Sequence, residues 1–265
     1  MLQAHSFLWH YLWVAPNVLL LFLSFLMWKR GLHKQFPGFF AFTIFSSIGE
    51  LSVYAADVLP SVSAENFWRV DWACLLVEGP LKFAVVAEIF ARAFGPYPSV
   101  ARLGKVSIRT VGVVLVFTSA IIAAYAPKNG RFGIVSGAHQ LDQTIYLIET
   151  GLMLFIFAFS FYFNLRPGKQ TFGIALGLSI SACVHLATWA IMANSKVPNS
   201  VRYDLDFLNM GTYHLCVLMW SYYVLVPGKV RNYTHLDPPA NSLVGVPSEE
   251  DLGALNQEME RLLHR

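Results

Sequence analysis

Asp71, Glu78 and Lys82 interrupt an apolar run of the chain and, on a helix, fall within about 40° of one another. A charge at membrane depth costs at least ~2.5 kcal/mol and persists by pairing or by lining a polar interior. Glu78 precedes Lys82 by four residues, the better order for an ion pair along a helix. Gly79 and Pro80 stand between them. Proline removes one backbone hydrogen bond, which predicts a conformational kink at Pro80. A charge pair beside an interrupted turn suits a ligand or ion site, and it suits a strut between helices as well. Glu88 points away from this face and is expected to pair with Arg92.

Polar stripes recur at helical spacing elsewhere. Glu50, Tyr54 and Asp57 form one, Asp142, Tyr146 and Glu149 a second, and Asp206, Asn209, Tyr213 and Cys216 a third. Ser181, His185, Thr188 and Trp189 form a fourth, and His10, Trp13 and Asn17 a fifth. One such stripe reads as interhelical hydrogen bonding, whereas several with carboxylates predict a shared polar pocket. Its expected ligand-binding residues are Glu50, Tyr54, Glu78, Lys82, Tyr146, Glu149, His185, Tyr213 and His214. The excess of acids over Lys82 suits a cationic or hydroxyl-bearing ligand, or proton transfer.

His185 and His214 could hold haem iron from facing helices, but lone intramembrane histidines are more often packing residues, so haem is not expected. No catalytic or metal-ligand motif is present, and no enzymatic activity is read from the chain.

The elements that must carry these residues are membrane-spanning. Apolar residues make up 55% of the chain and charged residues 13%, and a bilayer core takes roughly 20 helical residues to cross. Seven stretches of that length stand at 8–28, 38–60, 69–94, 107–126, 141–164, 171–193 and 205–226. They predict an all-α seven-helix transmembrane domain over 1–226, followed by a tail over 227–265. The start MLQAHSFLWHYLW has no basic run before its apolar stretch, so the first helix is expected to remain as an uncleaved anchor.

Loops after the odd-numbered stretches carry eleven Lys and Arg against five after the even-numbered ones. The positive-inside rule then puts the N-terminus outside and the C-terminus in the cytoplasm. A multi-pass protein of the bacterial inner membrane is the expected location. Topology accounts for the basic residues, and the net charge of +3 gives no reason to expect nucleic acid. Cys74, Cys183 and Cys216 all fall within stretches and read as packing residues.

Sliding the chain by 135 positions lays residues 34–55 on 169–190 without a gap. Lys34, Gln35, Gly38, Ser46, Leu51 and Ala55 then meet identical residues, Glu50 meets His185, and Asp71 meets Asp206. Either chance or a parallel repeat of helices 1–3 and 5–7 produces this. The three-plus-one-plus-three layout resembles the superfamily of SWEET sugar transporters, PQ-loop carriers and microbial rhodopsins. No Pro-Gln pair marks either half, and 205–226 has no lysine to hold retinal. The chain is also similar to uncharacterised bacterial seven-helix proteins in its Phe36-Pro37-x-Phe39 entry to the second stretch and its Glu/Trp-rich third.

In the tail, Ser248 reads as the N-cap of a short amphipathic helix over 248–264. Leu252, Leu255, Met259 and Leu262 form its apolar seam, fit for docking on the protein itself, on a cytoplasmic partner, or on a second copy. Together these features predict a membrane receptor or sensor for a small molecule, with an output tail. The alternative is a small or proton-coupled transporter built from two three-helix repeats.

Overall fold

The computed structural model describes residues 5–94, 106, 110, 113, 131–162, 168–192 and 198–226. The chain divides into two units, 1–228 and 229–265, and every described residue belongs to the first. Six α-helices and no strand occur among the described residues. They are α1 (Phe7–Lys29), α2 (Pro37–Val58), α3 (Ala64–Ala93), α4 (Arg131–Tyr162), α5 (Lys169–Met192) and α6 (Asn199–Leu225). Apart from Thr110 and Val113, the expected stretch at 107–126 lies outside the described residues, as does the tail helix at 248–264 with Leu252, Leu255, Met259 and Leu262.

The chain is all-α, and α1, α2 and α5 are long and apolar enough to cross a membrane. Helices begin earlier than apolarity alone indicates. The hydroxyl of Ser63 accepts from Asn66 N–H and caps α3, and Glu65 pairs with Arg69 one turn on, so a polar turn precedes the apolar run. Gly31, at φ 71°, takes the left-handed conformation that ends α1. A 3₁₀ turn over Leu32–Lys34 then leads into Pro37 at the start of α2.

The helices form a ring in which α1 packs on α2, α2 on α3, α3 on α4, α4 on α5, α5 on α6, and α6 on α1. A further contact joins α3 to α5 across it. Two close approaches repeat at the 135-residue offset. Gly38 of α2 lies against Glu88 of α3, and Gly173 of α5 lies against the Tyr223 ring of α6. Large apolar side chains face outward, among them Phe22, Phe25, Leu154, Leu215 and Tyr222.

The interior divides lengthwise. One half is apolar, packed from Leu23, Phe39, Val86, Met153, Leu178 and Trp220, one or more from each helix. The other half holds the polar stripes. At the apolar end, Glu88 Oε2 accepts from Phe39 N–H at 3.1 Å in the first turn of α2, where the helix dipole favours a carboxylate. Arg92 reaches Glu88 at 3.5 Å and lies 4.0 Å over the Phe36 ring. The Phe36-Pro37-Gly38-Phe39 entry is therefore held by α3.

Glu88→Ala removes this capping acceptor and should cost about 1 kcal/mol of stability. Denaturant titration of the purified protein would measure it, and Glu88→Asp should fail to restore the loss because the shorter side chain withdraws from Phe39. At the same end, Arg30 and Gln170 donate to the carbonyls of Leu225 and Val224 at 2.8 and 3.2 Å, satisfying the last turn of α6.

Candidate functional site

Five of the six described helices supply the expected ligand-binding residues, most of them in the polar half. On α3, Lys82 Nζ lies 3.1 Å from Glu78 Oε1, as the four-residue spacing predicts. Lys82 is 5% exposed, so its pairing is with protein and not with solvent. The same ammonium stands 3.9 Å from the centroid of the Tyr146 ring of α4, a cation–π distance. Glu149, one turn further along α4, is 1% exposed. Its charge interacts with those of Lys82 and Glu78, yet its Oε2 has no hydrogen-bond partner among the described residues. A buried polar oxygen left so is costly.

Pro80 lies inside α3 with the helix continuous on both sides and is itself exposed. Gly79 is buried, and a side chain there would meet Ile145 of α4. Gly79 thus lets α4 come close beside the Glu78–Lys82 turn.

Tyr146 also stacks on His185 of α5, with ring centroids 3.9 Å apart. His185 Nε2 lies 2.9 Å from Asp142 Oδ2 and 2.6 Å from Trp189 Nε1. The indole N–H only donates, so this one ring nitrogen either accepts from Trp189 or donates to Asp142. Thr188 continues the set to α6, its hydroxyl 3.0 Å from Asn209 Oδ1.

The opposite side of the polar half is built by α1 and α2. Trp13 Nε1 donates to Glu50 Oε2 at 3.1 Å, and His10 Nδ1 lies 2.9 Å from the Tyr54 hydroxyl. Glu50 interacts electrostatically with Glu78 and Lys82, so the two sides belong to one charged set. Asn17 Oδ1 of α1 is buried with no hydrogen-bond partner among the described residues, and Tyr213 of α6 is packed on the apolar cluster beside Ser46 of α2. The His214 ring lies 5.7 Å from that of Tyr11 of α1, and its Nδ1 is buried with no hydrogen-bond partner among the described residues. Asp206 is exposed.

Among the described residues no group of three or more His, Cys, Asp or Glu has the arrangement of a metal site. The residues that sequence reasoning left aside are Asn17 and Asp142. Both stood in polar stripes, but only the pairing of helices shows that Asp142 faces His185 and that Asn17 brings an open carbonyl into the core. Taken together, the set gathers carboxyl, ammonium, imidazole and aromatic groups from α2, α3, α4 and α5. No family model, curated protein or solved structure matches the chain.

Proposed function

We propose that this chain is a multi-pass membrane protein, a seven-helix bundle with its N-terminus outside, that binds a small molecule in its polar half. It acts as a receptor or sensor, with residues 227–265 carrying the output on the cytoplasmic side. The carrying observation is the buried Glu78–Lys82 pair beside Glu149, whose Oε2 lacks a hydrogen-bond partner among the described residues. A purely structural pair needs no further buried carboxyl next to it. Pro80, inside α3 and adjoining the pair, is where ligand binding would alter the helix.

Native mass spectrometry of the purified protein tests the binding. Wild type should carry a non-lipid mass that Glu78→Gln and Glu149→Gln both lose. Retention of that mass by both variants would remove the polar half as its site. For the output, deletion of 247–265 should abolish signalling and leave ligand binding unchanged. Signalling that survives the deletion would count against the sensor.

A second reading is a carrier made of two three-helix halves with the stretch at 107–126 as their linker. It is suggested by the 135-residue offset that lays residues 34–55 on 169–190 without a gap. The matching approaches of Gly38 to Glu88 and Gly173 to Tyr223 also support it. Uptake of the identified ligand into proteoliposomes, undiminished by the tail deletion, would favour the carrier.

A further inference from the structure

The balance of charge in the polar half bears on what kind of molecule it receives. Glu50, Glu78 and Glu149 come from three helices, and Lys82 is the cation whose charge reaches Glu50 and Glu149 as well as Glu78. Carboxylates outnumber it, and an anionic ligand would worsen the imbalance in a medium that screens charge poorly. We propose that the polar half takes a cationic ligand, a small molecule bearing an ammonium group that Glu149 receives and with which Lys82 competes. This rests on the binding reading above and adds to it the chemical class of the ligand.

Two features of the geometry carry the inference. Glu149 is 1% exposed, and its Oε2 lies among charged groups with no hydrogen-bond partner among the described residues. An ammonium supplies up to three donors. The core already displays how it holds such a group: Lys82 Nζ has a carboxylate at 3.1 Å and an aromatic face at 3.9 Å. Lys82 is thus a tethered ammonium in surroundings that accept ammonium. Asn17 Oδ1, buried and without a hydrogen-bond partner among the described residues, offers a contact for a polar remainder of the ligand.

The test uses the full chain in maltoside micelles with n-butylammonium as probe, and n-butanol and butyrate as neutral and anionic counterparts. Calorimetry should show n-butylammonium binding to wild type, at least tenfold tighter binding to Lys82→Met, and at least tenfold weaker binding to Glu149→Gln. Glu149→Gln keeps the Glu78–Lys82 pair, so it reports even where Lys82→Met fails to fold. Butanol or butyrate bound as tightly as the ammonium, and lost in Glu149→Gln, would overturn the cation and leave ligand binding in the polar half standing. Ammonium binding unaffected by Glu149→Gln, or none to any chain, would overturn the proposal, while the native mass measurement judges the binding reading separately. Displacement of the probe by phosphatidylethanolamine would assign the ammonium to a lipid headgroup, and indifference to that lipid to a solute. Both of these keep the cation site.

Discussion

Replacing Gly177 by leucine should separate α5 from α6 and lower stability by about 3 kcal/mol, the upper end of the usual range for forcing volume into a packed core. Even the first carbon of a side chain at Gly177 would overlap the Trp220 indole at Nε1 and Cε2. Trp220 has nowhere to retreat. It is 1% exposed, its Nε1 donates to the Ile174 carbonyl at 3.2 Å, and its ring meets Phe39 and Phe42 edge-on, with centroids 5.5 and 6.2 Å away. Gly173, one turn earlier, receives the Tyr223 ring in the same way. Two glycines four apart make the groove that lets helix backbones approach in membrane proteins. Gly177→Ala should already be destabilising, whereas Gly151→Ala and Gly211→Ala, where a side chain would meet nothing within 4 Å, should be neutral. Denaturation of the four variants in micelles measures this, and a stable Gly177→Leu would mean that Trp220 does not occupy the groove.

Lys82→Met is expected to be the most damaging single change in the polar half, at about 3–5 kcal/mol, because it leaves buried carboxylates without their cation. Glu78→Gln should cost less, about 1–3 kcal/mol, since Lys82 then keeps the Tyr146 face and the neighbouring Glu149. Adding Glu78→Gln to Lys82→Met should recover part of the loss by removing one of the mutually repelling carboxylates, and not all of it. Full recovery in the double variant would show that Lys82 serves Glu78 alone and would reduce the pair to a strut. A double-mutant cycle of denaturation free energies decides between the two.

Local geometry was legible in the sequence where it depends on helical period. Glu78 with Lys82 and Glu88 with Arg92 needed only a spacing of four, and the polar stripes lay on single faces for the same reason. What the period cannot give is the rotation of one helix against the next. That Glu50 meets Trp13, that Asp142 meets His185, and that Glu88 caps α2 follow from packing between elements distant in sequence. The Gly173–Gly177 groove carried a readable signal, two glycines four apart in GIALG, but its occupant Trp220 is supplied by another helix. The expected site residues divide accordingly. Glu78, Lys82, Tyr146, Glu149 and His185 come together, Glu50 and Tyr54 of α2 complete the set with their α1 partners Trp13 and His10, and His214 lies beside Tyr11.

The lengthwise division of the core also has an electrical meaning. A voltage across a layered medium falls mainly over its least polarisable layer. In a bilayer, that layer would be the half packed around Trp220, Phe39 and Met153. A unit charge moved through the whole drop exchanges about 2.3 kcal/mol per 100 mV. Lys82 and Glu149 each lie one turn from that layer, before Val86 and Met153. A cation admitted from the polar side would therefore cross little of the field to reach them, and nearly all of it to leave by the other end.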